Sequence, residues 1–155
     1  MIRIAYKWVL LIAAFAFASI ASAHVTVWPR TSNTGAHEKY TVRVPTEGAV
    51  ATTAIELSIP SNVTFVSIGA ATGHSYELKK SEGRVVAIVW SMKINPGEFA
   101  EFAFMVRNPK EGKEIVWKAT QRFSDGTSTQ WMGPAGDKHP ASITALKAGE
   151  GGHAH

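Results

Sequence analysis

The stretch Glu38-Lys39-Tyr40-Thr41-Val42-Arg43-Val44-Pro45 alternates strictly in character. Glu38, Tyr40, Val42 and Val44 share one parity, and Lys39, Thr41 and Arg43 the other. A side-chain period of two belongs to a β-strand with one buried face, because successive Cβ atoms point to opposite sides of the sheet. Aromatic and β-branched residues on the apolar side suit a pleated, half-buried surface. Pro45 lacks a backbone donor and marks the end of the run.

The same pattern spreads in both directions. Short alternating runs occur at Ala54 to Ile59, Val63 to Ile68 and Ser75 to Lys79. Val85 to Met92 is almost wholly apolar, as a strand covered on both faces would be. Glu98 to Val106, Glu114 to Phe123 and Ser142 to Leu146 complete the set. Between them stand turn formers: Pro45-Thr46-Glu47-Gly48, Pro60-Ser61-Asn62, Ser81-Glu82-Gly83, Asn95-Pro96-Gly97, Asn108-Pro109 and Ser124-Asp125-Gly126. No run keeps a 3.6-residue period over helical length. The pattern predicts an all-β fold, an immunoglobulin- or fibronectin-like β-sandwich of about seven to nine strands. Trp90 and Trp117 fall inside strands and are assigned to its core, with Met92 and Met105 as filler.

The 155 residues divide into three parts. Residues 1–23 read as a secretory signal peptide: Arg3 and Lys7 without an acid, an apolar run from Trp8 to Ile20, then Ala21-Ser22-Ala23. The apolar run falls short of the roughly 20 residues a membrane span needs, so no stable span is expected after processing. Cleavage after Ala23 makes His24 the first residue of a periplasmic or secreted protein; cleavage after Ala21 is the other arrangement of small residues. Residues 24–147 form the domain, and residues 148–155 a flexible Gly- and His-bearing tail. The formal charge of +4 falls to +2 once Arg3 and Lys7 are removed, too little to draw nucleic acid or an anionic membrane. The absence of cysteine rules out disulfides and thiolate metal ligands.

His24 then becomes the first residue with chemistry to offer. A free N-terminal histidine carries an α-amine and a ring Nδ1 that close a chelate on one metal, and such nitrogens favour Cu(II). The amine titrates near pKa ~8, so a metal displaces its proton at little cost. Thr26 stands where a tripeptide copper clamp would have a histidine, so further ligands must come from the fold. Glu38 has inward parity, and an inward carboxylate needs a metal, a basic partner or solvent at the strand mouth. His37 has the opposite parity and should face solvent. His74, at the start of a strand, and His139, before Pro140, read as surface residues; Met92, Met105 and Met132 form no methionine motif. The tail histidines His153 and His155 read as part of the flexible end, whether or not they meet metal.

Taken together, Ala23-His24-Val25-Thr26-Val27, the stretch Gly35-Ala36-His37-Glu38-Lys39-Tyr40-Thr41-Val42-Arg43-Val44-Pro45, and Gln121-Arg122-Phe123-Ser124-Asp125-Gly126 with Trp131 resemble the YcnI-like copper-binding domain family. The resemblance spans the mature domain and implies a sandwich carrying one Cu(II) on a single-histidine brace. It further implies that the N-terminal His24 supplies amine and imidazole, a strand glutamate (Glu38) binds from the side, and Trp131 lies against the metal as an outer-shell residue.

No nucleophile–base pair or paired carboxylates stand out, which points to binding rather than catalysis. The expectation is an exported copper chaperone or buffer, not an enzyme, that serves copper homeostasis and passes its ion to a transporter or cuproenzyme. Two alternatives stay open: a mononuclear copper oxygenase, which needs a second histidine on the ion, and a metal-free sandwich used for partner recognition.

Overall fold

The computed structural model of the protein describes residues 23–70 and 72–149. The signal-peptide reading, apart from Ala23, and the tail histidines His153 and His155 lie outside the described residues.

Twelve strands and no helix are present among the described residues. They are β1 (Thr26–Trp28), β2 (Thr31–Asn33), β3 (His37–Pro45), β4 (Thr52–Ser58), β5 (Thr64–Ile68), β6 (Ser75–Ser81), β7 (Arg84–Ile94), β8 (Phe99–Arg107), β9 (Glu114–Trp117), β10 (Ala119–Phe123), β11 (Ser128–Trp131) and β12 (Ser142–Lys147). Each run expected from the alternation is a strand. The count exceeds seven to nine for local reasons. β1, β2 and β11 are too short to show a period, and the run from Glu114 to Phe123 divides at Lys118 into β9 and β10.

Hydrogen bonding orders the strands β1-β3-β8-β5, β11-β10-β4-β7-β6 and β2-β12-β9. The change of partners at Lys118 hands the chain from the third of these sheets to the second, and the Lys118 carbonyl accepts from the Ser58 N–H at 2.9 Å. The deciding strand, β3, pairs antiparallel with β8 along its whole length, from His37↔Arg107 to Pro45↔Phe99. Its Tyr40, Val42 and Val44 are fully buried, as their parity requires. The apolar β7 lies between β4 and β6 with Ala87 to Trp90 all buried.

Trp90 of β7 stacks on Phe102 of β8, with ring centroids 5.4 Å apart. Phe104 and Tyr40 close on Trp117 at 5.6 and 4.9 Å. Each such aromatic withdraws about 150–250 Å² from water, on the order of 4–6 kcal/mol of gross burial free energy at about 25 cal/mol/Å². Met92 packs against this core as expected. Met105 does not: it opposes Lys39 on the solvent face of β8 and is 38% exposed.

Candidate metal centre

The register of β1 decides where the domain begins. Thr26 pairs with Arg43, Val27 with Val42 and Trp28 with Thr41, so the chain runs backwards along the second half of β3. Residues before Thr26 therefore reach the end of β3 at Pro45, and His24 shares a surface depression with Arg43 and Pro45. Two residues beyond Pro45, Glu47 turns back toward the chain start: the Ala23 N–H donates to its Oε1 at 2.7 Å. Glu47 thus reaches the residue that immediately precedes His24.

Trp131 arrives from the other side on the β10–β11 hairpin. The turn is held by Asp125, whose Oδ1 accepts from the Thr127 N–H at 2.9 Å and hydroxyl at 2.7 Å. These bonds keep the Asp125 carboxyl below its usual range. Gly126 takes φ 85°, a conformation that side-chain-bearing residues rarely adopt. Trp131 then pairs with Ala119 and is only 8% exposed. Its ring lies 5.6 Å from that of His24, tilted by 59°.

One buried amide ties these parts together. The Trp131 Nε1–H donates to Gln121 Oε1 at 3.0 Å. Gln121 Nε2 donates to the Pro45 carbonyl at 2.8 Å and to Thr52 Oγ1 at 2.7 Å. The Thr46 and Thr52 hydroxyls share a further bond of 2.7 Å. Every polar atom of the Gln121 side chain is partnered, so the indole, the end of β3 and the segment leading to Glu47 are held in one network. With its nitrogen engaged, Trp131 offers His24 only ring carbon.

His139 completes the neighbourhood. Its ring meets Trp131 edge to face, 5.1 Å away at 89°. A groove of about 490 Å³ runs past Ala23, Glu47, Phe123, Trp131, Lys138 and His139.

The structure does not bring Glu38 to His24. Glu38 stands at the start of β3, opposite Val106, whereas His24 lies by Pro45, seven residues further along the strand. That separation is about 23 Å at roughly 3.3 Å per residue. The inward parity was read correctly, but a hydroxyl supplies the partner. Ser32 Oγ donates to Glu38 Oε2 at 2.6 Å and accepts from Asn108 Nδ2 at 2.8 Å. The Tyr40 hydroxyl donates to Asn108 Oδ1 at 3.0 Å. Burial, with the nearby Glu38 charge adding to it, pushes the Tyr40 phenol above its ordinary value, while its hydrogen bonds pull the other way. Glu38 therefore belongs to a polar lock at the opposite end of the sandwich from His24.

Sequence reasoning missed Glu47 and His139. Glu47 lies in a Pro-Thr-Glu-Gly turn that looks like any other, and only the β1–β3 register brings Ala23, the neighbour of His24, to it. His139 is exposed to the groove rather than to bulk surface alone, because residues 132–141 fold back on themselves. His37 faces solvent as expected, and His74 packs on Phe102 at 5.0 Å.

Chemically, the site gathers an imidazole, a carboxylate and a covering indole. Among the described residues, no three His, Cys, Asp or Glu side chains converge on one point. A chain beginning at His24 would add an α-amine to these donors. The donor set fits a divalent ion of the nitrogen- and oxygen-seeking kind.

Comparison with known proteins identifies the family and the fold. The family profile described as a domain of unknown function, DUF1775, matches residues 24–146. The copper-binding protein CutI of Bacillus subtilis (strain 168) is 34% identical over 133 residues, which cover 84% of this chain and 65% of that protein. The chain thus spans about two thirds of its relative's length. A crystal structure of an uncharacterized protein from Nocardia farcinica, described as revealing an immunoglobulin-like fold, superposes with a TM-score of 0.72 at 26% identity. The match covers 79% of this chain and 97% of that one. The sandwich, the motifs around His24 and Trp131, and a profile match that begins at His24 agree: the chain belongs to the DUF1775 family of YcnI-like domains.

Proposed function

We propose that this protein is an exported copper buffer or chaperone that binds one Cu(II) through a brace formed by the amine and imidazole of His24. The carboxylate of Glu47, not that of Glu38, is the side ligand in this reading. The observation that carries it is the bond from the Ala23 N–H to Glu47 Oε1 at 2.7 Å beside an imidazole that already lies against Trp131. Removal of Ala23 frees an amine one residue from that carboxylate, so amine, ring and carboxylate meet on one ion. The Bacillus relative is a copper-binding protein, which supports copper as that ion. Trp131 covers one side of the site with ring carbon and limits solvent access.

Copper is cargo here. Amine, imidazole and carboxylate are donors suited to Cu(II), which heads the divalent affinity order. The acceptor of the ion is a copper transporter or cuproenzyme outside the cytoplasm. An oxygenase would require a second histidine resident on the same ion.

The test compares protein beginning at His24 with the same protein carrying one additional N-terminal glycine. Electron paramagnetic resonance during Cu(II) titration is expected to show a tight site in the first and its loss in the second. Equal spectra and affinities would reject the brace. Oxygen consumption by the copper-loaded form with a reductant, above that of free copper, would favour the oxygenase.

A further inference from the structure

His139 lies on the wall of the same groove as Glu47, yet the brace does not use it. Its position is built rather than incidental. The Met132 and Gly133 N–H groups both donate to the His139 carbonyl, at 3.2 and 3.0 Å. The Ala141 N–H donates to the Gly133 carbonyl at 2.8 Å, and Gly133 bridges to Pro140. Gly133 permits this fold-back: a Cβ there would stand 2.5 Å from Asp137 Oδ2 and 2.8 Å from its Cβ, so the whole Asp137 side chain would have to move. The loop therefore holds the imidazole edge to face with Trp131, the same indole that His24 touches. Among the described residues, no hydrogen bond engages a ring nitrogen of His139. An aromatic ring would serve packing equally well; the two nitrogens are surplus to packing and open to a ligand.

We propose that His139 is an exchange ligand: an imidazole that holds Cu(II) on its way into and out of the His24 brace. The proposal rests on the brace reading. Arriving Cu(II) loses a water to a His139 nitrogen, with Glu47 on the same groove offering a carboxylate oxygen. The His24 ammonium gives its proton to solvent, and the amine and ring nitrogen then form bonds to the ion as the His139 bond breaks and a second bound water leaves. The copper remains Cu(II) throughout, and no electron moves. Release runs the same steps in reverse.

The test uses protein beginning at His24 and its His139→Phe variant, which keeps a ring against Trp131 but has no nitrogen. Stopped-flow tryptophan quenching follows loading by Cu(II), and transfer to a small chelator follows release. Because an exchange ligand lowers the barrier from both sides, loading and release should both slow by about tenfold, the lower end of effects for residues beyond the ligand set. Equilibrium affinity and the paramagnetic resonance spectrum should not change. Unaltered rates would overturn the proposal. Weakened affinity with an altered spectrum would also overturn it, because His139 would then be a resident ligand. The glycine-extended protein separates the two readings: if it binds as tightly as the native form, the brace fails, whatever the rates show.

Discussion

Replacing Gln121 by Leu tests whether one amide organises the site. Gln121 is 2% exposed and makes three side-chain hydrogen bonds. Leucine is close in size and leaves no large void, so the cost lies in what it orphans. The Trp131 Nε1–H loses its acceptor, and the Pro45 carbonyl loses the amide donor. Thr52 Oγ1 keeps its bond to Thr46 and suffers less. An unsatisfied buried donor or acceptor costs about 1–3 kcal/mol, and greater burial of apolar surface returns part of it. The expected net loss for two orphans is therefore about 2–4 kcal/mol. Urea unfolding followed by far-ultraviolet circular dichroism measures it as a lower midpoint with an unchanged slope. The indole should also drift from His24, so the Cu(II) spectrum should change with the stability. A loss below about 0.5 kcal/mol, the range of an ordinary surface substitution, would refute the network account.

The two glutamates should separate cleanly. Glu47→Ala is expected to weaken Cu(II) binding at least about tenfold with little change in stability, while Glu38→Ala should do the reverse, losing about 1–3 kcal/mol as the Ser32 bond disappears. Calorimetric copper titration beside thermal unfolding of both variants is the check. Trp90 and Trp117 should likewise differ when each is changed to Phe. The Trp90 Nε1 is buried without a partner among the described residues, so losing it offsets the lost volume and the net change should stay within about 1 kcal/mol. Trp117 Nε1 donates to Thr144 Oγ1 at 3.0 Å, so Trp117→Phe should cost about 2–4 kcal/mol, read by urea midpoints. Finally, Glu56 accepts from Lys79 at 3.0 Å and Arg122 at 2.8 Å. Burial works against its charged form, but the two cations together outweigh it and hold the carboxyl below its ordinary range. A depressed acid lends stability above its unfolded pKa and loses it as pH falls through the folded value. Glu56→Gln should therefore flatten the stability–pH curve on the acid side of about pH 4–5, with little difference in slope at neutral pH.

The fold was legible because alternation is a local property. Tyr40, Val42 and Val44 reveal a buried face without reference to any other strand, and the same holds for Phe102, Phe104 and Val106. Short pieces escaped: three residues at Thr26–Trp28 or Thr31–Asn33 cannot display a period of two, and their strand character comes from the neighbours they pair with. Met105 was misjudged by composition, though its parity within β8, opposite to that of Phe104, already placed it outward.

The site was only half legible, for a reason that separates Glu38 from Glu47. Parity tells which face of a strand a residue occupies but carries nothing about which end of the sheet another segment approaches. His24 meets Pro45 rather than His37 because β1 runs antiparallel to β3 from Thr26↔Arg43 onward, a register set by long-range burial of Val25 and Val27. Had β1 been parallel, the same residues would have delivered His24 toward Glu38. Which carboxylate stands beside the residues at His24 thus follows from strand direction, a property no single strand encodes. His24 stands out in the sequence for a different reason: the chemistry proposed for it depends on position in the chain and not on any strand pattern. A variant that retains His24 at the chain start but exchanges Glu38 and Glu47 for glutamine one at a time would test this directly: copper should respond to the residue near Pro45 and ignore the one near Ser32.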